Sequence, residues 1–300
     1  MTTFHPPAEI AICYHGGIAN AGALARRLGE QVEAAGAAAR VRVMPDPLDP
    51  VECAEFGAWL GKPGLVVCVG GDGTVLHASE FAAIAGTPIF GVRMGRLGFL
   101  TETIEAEAAD ALAIVLRGEA RLERHAMVQA SVGGGEPVHA LNDIVIGRAV
   151  IGRTISVAAR MDGVLLAEYR ADALIVATAT GSTGYALSVG GPILPPTSPE
   201  IIVVPVAPHL TQANPLVLPA DVSLRLFVER GYDAVVTPDG LHQQQVDSGT
   251  VIEVKHSDRY VDFVRLGGPE QFYANVARRL GWLRADHALD GLPEAPSGRF

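Results

Sequence analysis

The sequence predicts an α/β domain followed by a β-rich domain, on three observations. The first third alternates strand-length apolar runs with helical stripes. One of those runs ends in the turn Gly70-Gly71-Asp72-Gly73-Thr74 and passes directly into a helical pattern. Beyond Glu119, short apolar runs follow one another with turn signals between them. Alternation of strand and helix implies a parallel sheet with helices on its faces. Successive strands with glycine-rich turns imply an antiparallel region.

Element by element, residues 9–14 read as a strand. Residues 20–35 carry Leu24, Leu28 and Val32 four apart, a helical stripe. Residues 40–44 form a second strand, and a proline-marked loop over 45–50 leads to a short helix at 51–60. Leu65-Val66-Val67-Cys68-Val69 is the strand before the glycine turn; Val75, Ala78, Phe81, Ala82 and Ala85 mark the helix after it. A strand at 87–92 and a helix at 104–116, closed by Gly118, complete the first region. Strands are then expected at 127–132, 140–146, 154–161, 173–178, 201–206, 222–229, 250–256 and 260–265. A last helix, 271–280, has Phe272, Val276 and Leu280 four apart. The expected organisation is an α/β domain at 1–118 and a β-rich domain at 119–266. A C-terminal helix segment at 267–290 returns to the first domain, and 291–300 is a tail.

A net charge of −10 without any Lys/Arg block argues against a nucleic-acid partner. Three widely spaced cysteines, Cys13, Cys53 and Cys68, give neither a disulfide framework nor a structural zinc site. No segment reaches membrane-spanning length unbroken, so no membrane partner is expected and the chain reads as cytoplasmic.

A strand, a glycine turn and a helix start converge at Gly70, Gly71, Gly73 and Thr74. They gather backbone N–H groups at one spot, which suits phosphate. Asp72 between the glycines would repel that guest at rest, so it needs another task. Taking a proton from a hydroxyl that attacks phosphorus is one. Gly95-Arg96-Leu97-Gly98-Phe99-Leu100 is a loop after a strand end, where α/β sheets bind ligands. Its Phe99 is either a lid over a base or a plug between domains. Asn142 offers the donor and acceptor that a base edge requires, and Asp143 can accept from ribose hydroxyls. The run from Ala171 to Pro192 is dense in glycine and hydroxyl residues, which allow close backbone approach and neutral hydrogen bonds. Its Tyr185 can stack or donate.

With these four ordered motifs the chain resembles the NAD kinases over roughly residues 9–283. They are Gly70–Thr74, Gly95–Leu100, Asn142-Asp143, and Asp172 through Gly191-Pro192. The glycine-aspartate turn alone is shared with lipid kinases and, more loosely, phosphofructokinases; Thr180-Gly181-Ser182-Thr183 is far more specific. The resemblance implies phosphorylation of the 2′-hydroxyl of the adenosine ribose of NAD to give NADP. ATP or another phosphoryl donor would serve, with Mg²⁺ or another divalent cation carried by the nucleotide and no metal-ligating residue of the chain. It also implies the two-domain NAD kinase fold, NAD held at the junction, and a homodimer or homotetramer. Asp72 is then the general base. Asn142, Asp143 and Asp172 bind NAD, Thr183, Tyr185 and Ser188 line the adenosine side, and Gly184 lies in a substrate-contacting turn. Gly73 and Phe99 belong to the same substrate site, and His77, Arg153 and Arg170 are candidate phosphate or pyrophosphate contacts. Ala173, Ala179, Gly184 and Arg93 depart from the usual family residues. Two other readings use the same turn: a lipid or small-alcohol kinase, and a non-catalytic pyridine-nucleotide sensor.

Overall fold

Residues 2–95, 98–150, 152–209, 214–229 and 232–282 are described in the structure, a computed structural model. The chain opens with β1 (Thr2–Thr3), β2 (Glu9–Tyr14), α1 (Ala21–Ala34), β3 (Ala38–Val43) and α2 (Pro50–Leu60). It continues through β4 (Leu65–Gly70), α3 (Asp72–Ala85), β5 (Ile89–Arg93), β6 (Thr103–Ile104) and α4 (Ala108–Leu116). Helix boundaries follow local chemistry. The Asp49 carboxylate accepts the Val51 and Glu52 N–H groups at the start of α2, with Pro50 in its first turn. Gly86 ends α3 in the left-handed region, φ 67°. β2, β3, β4 and β5 pair in parallel, in the order β5-β4-β2-β3. The three residues before α4 form a 3₁₀ turn, so this helix starts later than the apolar pattern suggests.

After Glu119 the chain forms β7 (Arg121–Val132), β8 (Val138–Ala140), β9 (Asp143–Arg148), β10 (Ile155–Met161), β11 (Val164–Ala171) and β12 (Ala173–Ala177). There follow α5 (Tyr185–Ser188), β13 (Ile201–Val206), β14 (Leu216–Leu218), β15 (Leu224–Val228), β16 (Ala234–Pro238), β17 (Gln244–Val246) and β18 (Val251–Arg265). Six of these strands make a separate antiparallel sheet, β14-β13-β12-β9-β16-β17. The others extend the first sheet. β18 pairs antiparallel with β15 and β7 and parallel with β5, where Phe263 lies opposite Ile89. One sheet thus runs from β11 through β18 to β3.

Residues 1–266 form one compact unit. Its core under α3 joins Val75 and Ala78 to Leu100, Leu141, Val261 and Phe263, so the loop after β5, the entry of β9 and the end of β18 share one buried cluster. From residue 267 onward lies a second unit, containing α6 (Glu270–Arg279). Arg278 and Arg279 occupy its last turn, the favourable end of the helix dipole for cations. The expected tail at 291–300 lies outside the described residues. Among the described residues no helix is long and apolar enough to cross a membrane.

Candidate active site

β4 is fully buried and delivers the glycine turn to the carboxyl edge of the parallel strands. Gly70 and Gly71 are there for space. A Cβ at Gly70 would sit 2.3 Å from Thr74 Oγ1, and one at Gly71 would sit 2.7 Å from Arg93 Nη1. The Thr74 hydroxyl accepts the Gly71 N–H at 3.1 Å and is buried, so it braces the turn from inside. Among the described residues, a Cβ at Gly73 would meet nothing within 4 Å.

Asp72 occupies the first turn of α3. Its Oδ2 accepts the Phe99 N–H at 2.9 Å and its Oδ1 the Leu100 N–H at 3.4 Å. The Arg93 guanidinium stands 3.8 Å from Oδ1. A carboxylate oxygen has two lone pairs, so each can accept more than one hydrogen. Gly98 lies against this carboxylate so closely that a Cβ would fall 1.7 Å from Oδ1. The loop after β5 therefore fixes the direction of Asp72 through its backbone. Phe99 is half-buried in that loop; Arg96 and Leu97 lie outside the described residues. Arg93, noted from sequence only as a departure, is brought to the turn as its nearest described cation.

The second group forms where β8 hands over to β9. Leu141 and Asn142 interrupt the expected strand at 140–146, and a residue that sequence reasoning missed holds the break. Asp239, at φ 49°, accepts the Leu141 N–H at 2.7 Å through Oδ2, and through Oδ1 the Asn142 and Asp143 N–H groups at 2.8 and 3.0 Å. Asp239 N–H in turn donates to Asp143 O. The signal was available as Pro238-Asp239-Gly240, a turn triplet. Burial pushes the Asp143 carboxyl up to about 6. Burial, with Asp143 as a neighbour, pushes Asp239 up to about 7, against the pull of the three N–H groups.

The glycine- and hydroxyl-rich run packs directly on this break. Thr178 N–H donates to Asn142 O at 2.9 Å and its hydroxyl to Leu141 O at 2.6 Å. A Cβ at Gly181 would collide with Asn142 O at 2.0 Å, so only glycine permits the approach. At Gly184 a Cβ would lie 3.7 Å from Asn142 Nδ2 and 3.8 Å from Asp143 Oδ2. Asn142, Asp143 and Gly184 are thus neighbours, as the motifs suggested. Thr183 turns its hydroxyl back to Thr180 O. Tyr185 and Ser188, on α5, are exposed.

Other predicted residues fall elsewhere. Asp172 precedes β12, whereas Thr178 follows it. In the β9–β12 ladder Ala177 faces Asp143, and Ala173 faces Gly147. Asp172 and Asp143 therefore sit at opposite ends of one ladder, about 17 Å apart along the strands. At that far end Arg148, not singled out from sequence, pairs with Asp172 at 2.6 Å, and His209 Nε2 is 3.7 Å away. Arg153 and Arg170 line a cavity of about 400 Å³ beside them, together with His209 and Tyr232. His77 is buried in α3 between Cys53 Sγ, at 3.9 Å, and the Phe81 ring. Desolvation brings it down to about 4, so it is neutral at pH 7 and lacks the charge that would favour a phosphate. Among the described residues no group of three or more His, Cys, Asp or Glu side chains is placed to hold a metal ion.

Two family models match the chain: the ATP-NAD kinase N-terminal domain over residues 62–120 and the ATP-NAD kinase C-terminal domain over residues 141–266. The NAD kinase of Dehalococcoides mccartyi is 34% identical over 221 residues, 72% of this chain and 78% of that one. The NAD kinase of Burkholderia ambifaria is 36% identical over 233 residues, 76% of each. Among solved structures, an NAD kinase from Archaeoglobus fulgidus in complex with ATP superposes with a TM-score of 0.74 at 27% identity, covering 92% of this chain and 100% of its own. Yeast NADH kinase complexed with NADH shares the fold, with a TM-score of 0.78 at 21% identity over 96% of this chain and 91% of its own.

Proposed function

The chain belongs to the NAD kinase family, and from that membership we propose that it transfers the γ-phosphoryl group of ATP to the 2′-hydroxyl of the adenosine ribose of NAD, with Asp72 as general base. One observation carries the assignment of the base. Asp72 stands at the first turn of α3 with both oxygens oriented by the Phe99 and Leu100 N–H groups, beside a glycine turn where no described residue would lie within 4 Å of a Cβ at Gly73. In the step, the ribose hydroxyl gives its proton to Asp72 as its oxygen bonds to phosphorus. The bond from phosphorus to the leaving oxygen breaks, and ADP departs. General base assistance contributes about 10²- to 10⁴-fold; alignment supplies much of the rest.

Asn142 and Asp143 hold the adenosine end of NAD, with Thr183, Gly184, Tyr185 and Ser188 along the same wall. The adjacency of Gly184 to Asn142 and Asp143 at the β9 entry supports this. The Gly70–Thr74 turn and Arg93 receive the donor phosphates. Mg²⁺ enters with ATP and neutralises phosphate charge. Asp172, Arg170 and Arg153 belong to the remaining part of the dinucleotide contact, with Arg148 setting the direction of Asp172. The reading keeps the enzyme cytoplasmic and assembled as a homodimer or homotetramer; light scattering of the purified protein measures the assembly.

The test is isosteric. Asp72→Asn should keep the fold by circular dichroism and lower kcat for NADP formation by at least about 10²-fold, with KM for NAD changed little. Turnover within a few-fold of the parent would remove Asp72 from the role of base.

A further inference from the structure

A buried polar chain connects the loop that aims Asp72 with the loop beside Asn142, and neither motif contains its central members. On β7, Arg121, Glu123 and His125 alternate and so share one face. Opposite them β18 ends at Arg265, whose partner in the ladder is Arg121. His125 is 1% exposed, Glu123 7% and Arg265 8%. The Thr180 hydroxyl lies 2.9 Å from His125 Nδ1, and His125 Nε2 is 3.1 Å from Glu123 Oε1. Arg265 Nε donates to the same oxygen at 3.1 Å, while Arg121 Nη2 meets Glu123 Oε2 at 2.8 Å. From Nη1, Arg265 reaches Glu102 Oε2 at 3.2 Å and Leu100 O at 3.5 Å. Glu102 Oε1 accepts the Leu266 N–H. Leu100 is one of the two residues whose N–H groups hold Asp72.

The proton positions follow from the acceptors. Glu123 is held far below the usual carboxylate range by His125 and the two arginines, so it accepts only. Its neighbour Nε2 therefore carries the histidine hydrogen, and Nδ1 accepts from the Thr180 hydroxyl. Burial keeps His125 neutral by lowering its pKa. Glu102 and Glu123 then balance Arg121 and Arg265. Glu123 and Arg265 are buried and Arg121 and Glu102 partly so; buried ion pairs recover little more than their desolvation cost, so net stability is a weak reason to place these charges here. A fully satisfied network does fix geometry.

We propose that the chain Thr180–His125–Glu123–Arg265 is a positioning relay. It sets the Leu100 backbone, and through it the Asp72 carboxylate, relative to the Thr178–Gly184 wall. His125 and Arg265 are positioning residues that touch neither substrate. The inference rests on the reading of Asp72 given above.

The test uses the full chain with His125→Phe, which keeps an aromatic ring against Phe263, and Thr180→Val, which breaks the same link from the other side. The double variant and His125→Phe in an Asp72→Asn background complete the set. We expect each single variant to lose on the order of tenfold in kcat, with KM for ATP and NAD within about twofold. The double variant should be no slower than the slower single one, because both break one link. In the Asp72→Asn background His125→Phe should cost less than twofold further. If His125→Phe does not fold, Thr180→Val and Thr180→Val/Asp72→Asn carry the same comparison. A fall in thermal stability with kcat unchanged, a loss confined to KM for NAD, or losses that multiply in the Asp72→Asn background would each overturn the relay. Asp72→Asn retaining parental turnover would overturn the assignment of the base, leaving the relay's first link to be judged by the single and double variants.

Discussion

Gly98 shows how one missing side chain positions a reactive group. Its Cα stands where any Cβ would enter the Asp72 carboxylate, 1.7 Å from Oδ1. Gly98→Ala must displace either the loop or Asp72, and the Phe99 and Leu100 hydrogen bonds go with whichever moves. We expect kcat to fall at least about tenfold and stability by roughly 1–3 kcal/mol, the range for forced overpacking. Steady-state kinetics and denaturant titration measure the two; a parental kcat would show that the loop does not aim the base. The Gly70–Thr74 turn and Asn142-Asp143 are legible in the sequence because glycine spacing and paired polar residues at strand ends mark local geometry. Arg148 is not, since its partner Asp172 is 24 positions away; Pro238-Asp239-Gly240 announces a turn but not the backbone that Asp239 holds, 96 or more positions earlier. Arg170 shows the converse. Its neighbourhood with Asp172 is visible in sequence, yet among the described residues the partners placed against that carboxylate are Arg148 and His209.

At the scale of elements, the three backbone N–H groups at the entry of β9 are held by one carboxylate. Asp239→Ala removes the acceptor for three N–H groups. It should destabilise the chain by on the order of 2 kcal/mol and raise KM for NAD on the order of tenfold, because Asn142 and Asp143 lose their fixed backbone. An unchanged KM would detach this turn from substrate binding. The same entry gives a pH dependence. Asp143, pushed up to about 6 by burial, accepts from a ribose hydroxyl more strongly as the carboxylate than as the neutral acid. As pH falls through about 6 the proton is taken up and kcat/KM for NAD should fall. Asp143→Asn should have a lower kcat/KM throughout and no such decline; an acid limb that survives in this variant would assign it to another group. The linked stability has the opposite sign. A carboxyl raised in the folded state binds its proton more readily there than in the unfolded chain. This contribution therefore favours folding below about pH 6 and is lost as pH rises from about 4 to 6. Legibility at this scale follows burial. The parallel strands β2, β4 and β5 show in the sequence as apolar runs and β3 as an alternation of Val with Arg, whereas the two-residue β6 does not show. β11, β14 and β17 do not show, each an edge strand of its sheet with a partly exposed face, and neither does the interior strand β16, whose apolar run Ala234-Val235-Val236 is short. β18 reads as two strands because its ladder with β7 slips between His256 and Tyr260, at the polar insert Ser257-Asp258-Arg259.

Across the whole molecule, β18 ties the two sequence regions together, and no local pattern could announce it. The composition change near Glu119 is real: α-helices and parallel strands precede it, and mostly antiparallel strands follow. The hydrophobic cores, however, cross it. The cluster under α3 takes Met127, Leu141, Val261 and Phe263 from beyond residue 119, and the cluster under α1 takes Val264. Beyond the two-residue β6, β5 pairs across the sheet with β18, a strand more than 150 positions later in the chain. Cutting the chain at 118 would leave β5 without β18, and Phe90, Ile89 and Val75 without part of their cover. Exposed parallel edges and half-built cores do not sustain cooperative folding. Residues 1–118 expressed alone should therefore retain helical far-ultraviolet dichroism, bind a hydrophobic dye, and melt without a sharp transition. The parent should unfold over residues 1–266 with coincident secondary and tertiary probes. A fragment 1–118 that melts sharply, with dispersed amide resonances, would show that the first region folds as a domain of its own and that β18 only docks onto it.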